Sequence, residues 1–364
     1  MKKIKNKQIE KQIKIKKEDC DFNNLFESNP TKLEFLEDLP IKIGDSCQEN
    51  NGICLFKSID NILVLSYLMS LFKSQIVSYN IVDKKIIHTI KGFDGKSAHI
   101  KHYLDKNNKT DLLLQIVSGH EEFKILNNIY IWNFNNLECI FHLEKIYKEG
   151  LIYSASLLKE NNQFYLITSN NKGKDLSYPL KVFDLKGNKV KEIKNIKSNV
   201  NYMDIYYDIN LKKNFIIVID GTLSSYDYTN HKLYKKYTDK KGDLYGDTVI
   251  INSEKKPVKI MICDYNGEIG IYNFHTGDLL FKERAGGGFC YWNDNYIFAS
   301  QNYDRFVLID ISSPKIKRYF NEHKSEVNKI IKLIHPKYGE CLITIDQYKT
   351  KLWIIKNEEH PRKK

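Results

Sequence analysis

An apolar strand ending in an aromatic residue, followed at once by Asp or Asn, keeps returning along this chain. Tyr79-Asn80 closes QIVSYN, Trp132-Asn133 closes NIYIWN and Phe183-Asp184 closes LKVFD, while Tyr226-Asp227 lies in LSSYDY and Tyr272-Asn273 in EIGIYNF. Ile309-Asp310 in FVLIDI keeps the acid without the aromatic, and Trp353-Ile354 in KLWII keeps the aromatic without the acid. Successive copies lie 53, 51, 43, 46, 37 and 44 residues apart. A period of this size marks a supersecondary unit that buries its apolar face on its own neighbours, and it outranks any local propensity.

The fifth copy shows the unit in full. LYGDTVIIN (244–252) alternates as a strand, KKP turns, and VKIMICDY (258–265) is a second strand. Asn266-Gly267 is a tight-turn dipeptide because both residues tolerate positive φ. EIGIYNF is the third strand, His275-Thr276-Gly277-Asp278 turns again, and LLFKE is the fourth. Four short strands joined by turns make one propeller blade. Seven such third strands predict an all-β chain, a single seven-bladed β-propeller of four-stranded antiparallel blades. The 24 Tyr and 18 Phe suit that reading, since aromatic residues favour strands and fill the seams between sheets.

With those residues in view, the chain resembles the WD-repeat β-propeller family. CDYNGEIGIYNFHTGDLL follows that family's third and fourth strands, and ASQNYDRFVLID (299–310) its Ser-x-x-x-Asp hairpin, with Ile309 in the Trp place. EHKSEVNKIIKLI (322–334) follows its Gly-His start of a blade, with Glu322 for Gly, and ITIDQYKTKLW (343–353) completes that blade. Blades five to seven carry the resemblance, and blades one to four share the strand pattern and the aromatic-polar pair. It implies that each third-strand aromatic packs between blades. It also implies a hydrogen-bond network of His323, Thr344 and Trp353 in blade seven, with Gln347 where the turn Asp is expected. The structural signature is then Tyr79, Trp132, Phe183, Tyr226, Tyr272, Asp310 and Trp353.

A ring of blades must close. After Trp353 too few apolar residues remain for another strand, so blade seven lacks its outer strand. LEFLEDLPIKIGD (33–45) has no other place, and Ile41, Ile43 or their neighbours are predicted to pair with blade seven and protect its edge. Residues 1–30 then form a basic tail, read as disordered; 31–356 the propeller, with its closing strand at about 33–45 and its blades at about 50–356; and 357–364 a polar C-terminal tail. Of the net charge of +12, the first 19 residues carry eight Lys against three acids, which leaves the propeller only mildly basic.

No catalytic, cofactor or metal site emerges. GFDGKS (92–97) lacks the spacing of a phosphate loop and runs into a strand. RAGGGF (284–289) reads as the loop between blades five and six, where glycine allows close backbone approach. His99 and His102 sit three apart in a strand, on opposite faces, with no third ligand nearby. Ser118 to Glu122 (SGHEE) reads as a polar hairpin rather than a nucleophile triad. Seven cysteines, odd in number and without C-x-x-C, point to a reducing compartment. No apolar run is long enough to cross a membrane. The chain is expected to be intracellular, cytoplasmic or nuclear.

What remains is a surface. Tyr147, Tyr202, Tyr245, Tyr303 and Tyr348 fall near blade-connecting turns with Arg284 and Arg305, and Tyr and Arg are the preferred anchors of protein interfaces. They are the candidate partner-binding face of a non-catalytic protein–protein interaction scaffold, monomeric within a hetero-complex. The alternative is an RNA- or ribonucleoprotein-binding propeller, its lysine tail on phosphates and its loop tyrosines on bases.

Overall fold

The computed structural model describes residues 26–41, 52–71, 73–91, 97–121, 124–144, 146–147, 151–169, 179–196, 200, 202–238, 248–253, 256–263, 267–301 and 304–356. After one 3-10 turn at Pro30–Lys32 comes strand β1 (Leu33–Leu39). Blade one is β2 (Ile53–Lys57), β3 (Leu63–Leu71), β4 (Lys73–Asn80) and β5 (Lys85–Ile90). Blade two is β6 (Ser97–Asp105), β7 (Thr110–Glu121), β8 (Lys124–Asn133) and β9 (Glu138–Glu144). Blade three is β10 (Ala155–Glu160), β11 (Gln163–Thr168), β12 (Leu180–Asp184) and β13 (Lys189–Ile193). Blade four is β14 (Tyr202–Asp208), β15 (Lys213–Ile219), β16 (Leu223–Asp227) and β17 (Leu233–Lys236). Blade five is β18 (Thr248–Ser253), β19 (Lys256–Cys263), β20 (Glu268–Asn273) and β21 (Leu279–Arg284). Blade six is β22 (Phe289–Asn293), β23 (Tyr296–Gln301), β24 (Arg305–Asp310) and β25 (Lys315–Phe320). Blade seven takes β26 (Val327–His335), β27 (Gly339–Asp346) and β28 (Thr350–Ile355) from the end of the chain and β1 from its beginning. Each blade is a four-stranded antiparallel sheet, and the chain is a seven-bladed propeller.

The repeated aromatic-polar pair has two local tasks. The second member caps the turn that follows. Asn80 Oδ1 accepts from the N–H groups of Val82 and Asp83 at 2.9 and 3.0 Å, and Asp184 Oδ1 from Lys186 and Asn188 at 2.9 and 2.8 Å. Asp227, Asn273 and Asp310 do the same for Thr229, His275 and Ser312, and Asn133 for Asn135. Short Asx side chains reach backbone N–H groups two and three residues on, which is why Asp or Asn stands there. Ile354 breaks the pattern for a physical reason. The outer strand of blade seven arrives from the other end of the chain, so no turn follows Trp353-Ile354 and nothing needs a cap.

The first member marks a bulge. In all seven sheets the ladder between third and fourth strands skips one residue beside the signature position: Ile87, Ile140, Val190, Tyr234, Leu280 and Lys317 in blades one to six, and Leu36 in blade seven. A bulge bends the outer strand and sharpens its twist, which blunts an exposed sheet edge. The aromatic packs against the preceding blade. Phe183 joins the core between blades two and three, Tyr226 packs on that between three and four, and Tyr272 on that between four and five. Ile309 fills the place between five and six. Trp353 lies between six and seven, with ring centroids 5.0 Å from Phe306 and 5.5 Å from Phe320.

β1 runs antiparallel to β28 from Leu33 opposite Ile355 to Leu39 opposite Thr350. The paired residues therefore precede Ile41, which is buried just past the strand, while Ile43 lies outside the described residues. Arg318 of blade six fixes the entry to this strand, donating to the carbonyls of Thr31 and Leu33 at 2.9 and 2.7 Å. Upstream, Phe26 sits edge-on to Trp292 at 4.6 Å, and Glu340 accepts from the N–H groups of Glu27 and Ser28 and from the Ser28 hydroxyl. Residues 26–30 are thus an ordered part of the propeller, whereas the sequence placed them in the tail. Residues 1–25 and 357–364 lie outside the described residues.

Candidate functional site

The first strand of each blade is innermost, and β2, β6, β14, β18, β22 and β26 line a central channel with a cavity of about 840 Å³. Alternating strand direction gives the disc two faces. One, the loop face, carries the links between blades and the turns between second and third strands. The other, the turn face, carries the remaining turns and the Asx caps. Ser154, just before β10, bonds to Met203 near the start of β14, which shows neighbouring first strands entering from the same face.

Among the described residues, those lining the channel include five lysines, Lys57, Lys101, Lys106, Lys329 and Lys332, and one acid, Asp204. Asp204 is held in the wall. Its Oδ1 accepts from Ser156 at 2.9 Å and lies 3.3 Å from Lys101 Nζ, and Tyr202 reaches Oδ2 at 3.3 Å. Ser156 also meets the Tyr103 hydroxyl at 2.8 Å, so one polar chain ties blades two, three and four together. Lys101 adds a bond to the Met203 carbonyl at 3.0 Å and stands 5.0 Å over the Tyr202 ring.

The two histidines of the H-x-x-H stretch serve separate ends. His102 bonds to Asp111 at 2.7 Å and stacks on Phe56 at 3.9 Å. His99 is buried with no partner for Nδ1, and burial together with Lys101 and Lys329 drives its pKa down to about 3. It is a neutral imidazole at physiological pH. Burial pushes Cys54 and Cys341 up to about 12 and Cys290 to about 11, so these remain thiols rather than thiolate nucleophiles. Among the described residues no group of His, Cys, Asp and Glu is placed to hold a metal ion, the five described cysteines are free, and no helix is long and apolar enough to cross a membrane. GFDGKS lies almost wholly outside the described residues.

The residues expected to form a partner-binding face divide. Arg284 ends β21, Arg305 opens β24 and Tyr348 sits in the turn between β27 and β28, so the topology puts all three on the loop face. Arg284 and Tyr348 are exposed, Tyr348 at 57%. Arg305 is half-buried, 5.6 Å from the Tyr319 ring. Tyr147 and Tyr202 stand near the same face but point inward. Tyr147 is in the core between blades two and three, its hydroxyl 2.9 Å from Thr168 Oγ1 and Lys181 4.3 Å over its ring. Tyr202 is buried between blades four and five. Both are corrections to the expected face: a tyrosine beside a blade-connecting turn was read as surface, and here it seals a seam. Tyr245 and Tyr303 lie outside the described residues.

The chain enters the propeller on the opposite side. Phe26 bonds to Trp292, which with Asn293 ends β22, and its neighbours bond to Glu340 at the start of β27, so the described residues begin at the turn face.

RAGGGF is a place of close approach within the chain itself. The Gly286 N–H donates to the Ser300 carbonyl, Ser300 N–H donates to the Gly288 carbonyl at 2.7 Å, and Gly288 N–H donates to Ser300 Oγ at 3.0 Å. Sequence reasoning missed Asp346 and the channel lysines. Asp346 could have been found as the acid beside Gln347; the lysines had no signal until the first strands were known to face one axis.

No protein-family model matches the chain, and no curated protein matches it in sequence. In structure it is similar to the Cps50 (Swd1) β-propeller domain from Myceliophteria thermophila, solved by crystallography. The TM-score is 0.57 at 12% identity, over 88% of this chain and 100% of that one. At that identity the likeness is one of fold.

Proposed function

We propose that this propeller is a non-catalytic interaction scaffold that holds a partner protein on its loop face. One observation carries the reading. Of the groups at the channel that could act as acid, base or nucleophile, Asp204 is tied into the wall and His99 and Cys54 are held neutral, while Arg284 and Tyr348 stand exposed on the loop face. A rigid ring of blades presents the groups at its strand ends at little cost in conformational entropy, which is what a docking platform requires. Tyr and Arg supply large contact area and planar, charged hydrogen bonding there.

The test is affinity purification of the tagged protein with crosslinking mass spectrometry, before and after nuclease. Stoichiometric protein partners that survive nuclease and crosslink to Lys349, beside Tyr348, support the reading. Loss of all partners on nuclease treatment, with crosslinks only at the lysines of residues 2–17, would sink it in favour of a ribonucleoprotein role.

A further inference from the structure

The turns between first and second strands stand in equivalent places on the turn face, and one of them differs in kind. Their exposed residues are Asp60 and Asn61 in blade one, Lys106 to Lys109 in blade two, Asn161 and Asn162 in blade three, Asn295 in blade six, and Pro336 and Lys337 in blade seven. In blade four the turn reads Asp208-Ile209-Asn210-Leu211-Lys212, and Ile209 and Leu211 are 54% and 46% exposed. The turn of blade five lies outside the described residues. Folding asks for neither apolar side chain. Asp208 Oδ1 holds the turn, accepting from the N–H groups of Asn210 and Leu211 at 2.8 Å each, and neither Ile209 nor Leu211 joins the cores beside blade four.

This tip is joined to two other hairpin ends. His275, in the turn between β20 and β21, lies 3.3 Å from Asp208 Oδ2 through Nε2 and 3.0 Å from the Tyr234 hydroxyl through Nδ1. A Cβ on Gly277 of the same turn would come within 3.6 Å of the Lys236 carbonyl. The ends of β14, β17 and β21 therefore meet at the seam of blades four and five, and they bring Tyr207, Leu233, Leu279 and Leu280 there, each about half exposed. Lys212 and Lys232 are exposed beside them and pair with no acid among the described residues. Of the nearby acids Asp208 is buried, Asp227 is held by Lys213 at 3.0 Å, and the exposed Asp278 accepts from the Thr276 hydroxyl at 2.6 Å.

We infer that the turn face at the seam of blades four and five docks on a membrane that carries anionic lipids. Ile209 and Leu211 enter the boundary between headgroups and acyl chains, Tyr207 stands at the depth where an aromatic ring with a hydroxyl is at home, and Lys212 and Lys232 meet lipid phosphates or carboxylates. Apolar groups on a projecting turn suit a surface that yields around them, whereas a protein partner would have to bring the cleft. The loop face, on the other side of the disc, stays open to a partner in this arrangement.

The test is flotation of the full chain with phosphatidylcholine vesicles, with and without phosphatidylserine. The wild type is expected to float with the anionic vesicles, less so as salt rises. Ile209→Ser combined with Leu211→Ser is expected to weaken binding by about tenfold or more, and Lys212→Glu combined with Lys232→Glu to weaken it too. All four residues are exposed, and unchanged melting shows that the variants fold. Ile209→Trp should gain a blue-shifted emission on anionic vesicles that the wild type does not show. The lysines of residues 2–17 are present in every variant, so binding through them alone would leave the serine variant equal to wild type. That equality, no binding to anionic vesicles, or no emission shift in Ile209→Trp overturns the inference. If vesicles are ignored and the serine variant instead loses a stoichiometric protein partner, the seam is a protein interface and the membrane inference falls.

Discussion

The indole N–H of Trp353 lies 2.7 Å from Thr344 Oγ1, inside blade seven and away from water. Thr344 Oγ1 is 2.6 Å from His323 Nε2, and His323 Nδ1 is 2.8 Å from Asp346 Oδ2. Indole can only donate and carboxylate only accept, so with a neutral imidazole Trp353 donates to Thr344, Thr344 to His323, and His323 through Nδ1–H to Asp346. The expectation that Gln347 held the acid's place is corrected by one residue. Asp346 supplies it and also caps the turn, accepting from Tyr348 N–H at 2.7 Å.

Thr344→Val keeps the shape and removes the hydroxyl, leaving the indole N–H and His323 Nε2 buried without partners. About 1–3 kcal/mol per orphaned group is expected, read as a lower urea midpoint with the slope unchanged. A wild-type midpoint would show the network to be incidental. Burial raises the Asp346 pKa, but bonds from His323 and two turn N–H groups outweigh it and hold the carboxyl below its usual range. The sign follows. The unfolded carboxyl takes its proton first, so this stability is whole above about pH 4 and is lost as pH falls through the lower folded value. Asp346→Asn should remove that acid dependence.

The Asx caps allow a paired comparison. Asp184 accepts from two backbone N–H groups and from the Asn188 side chain at 2.9 Å, so Asp184→Ala should lower the melting temperature. Ile354→Asp restores the repeat's acid in blade seven and should destabilise rather than stabilise, because no turn follows and Ile354 packs on the neighbouring core. Thermal melts of the two variants decide it. A stabilising Ile354→Asp would mean that the acid does something besides capping.

The repeat was legible because both members of the pair act within a few residues of themselves: the Asx caps its own turn, and the aromatic meets the blade before it. Such signals survive in sequence because they are local. Gln347 misled because two adjacent turn residues look alike until the hairpin register is known. Tyr147 and Tyr202 misled because position near a loop does not fix which way a side chain points. The strap at Phe26 was invisible for another reason. Its partners, Trp292 and Glu340, are more than 260 residues away, and no local pattern in the sequence marks them.

Blade seven depends on its borrowed strand. Leu33 is fully buried between blades six and seven, so Leu33→Ala should destabilise by about 2–5 kcal/mol. Starting the chain at residue 40 removes β1, leaves β28 as an open edge, and should produce aggregates on gel filtration. A monodisperse, cooperatively melting truncation would mean that the ring holds without β1.

His99 carries a cost in acid. Its pKa falls from an ordinary 6.5 to about 3 on folding. Between those values the unfolded chain binds a proton that the folded chain refuses, so stability drops as pH falls, by about 1.4 kcal/mol per pH unit from this group alone. Above 6.5 both states are neutral and the effect vanishes. His99→Gln should therefore flatten the pH dependence between neutral pH and pH 4 whatever it does to stability at pH 7. Urea midpoints at several pH values measure this, and parallel curves for variant and wild type would mean that the ring is protonated in the fold.

The glycines between blades five and six should separate by what surrounds them. Gly286→Ala drives a methyl into Ser300, and Gly288→Ala drives one into the Val327 carbonyl; neither backbone can yield without moving β23 or β26. Each should destabilise by about 1–3 kcal/mol. Gly287→Ala meets open space at an ordinary φ, and restricting the unfolded chain should leave stability unchanged or raise it by about 0.4–1 kcal/mol. Urea denaturation of the three variants side by side makes the comparison. If Gly287→Ala is as damaging as its neighbours, glycine at 287 serves the fold. If it alone is harmless, the fold requires glycine at 286 and 288 and not at 287.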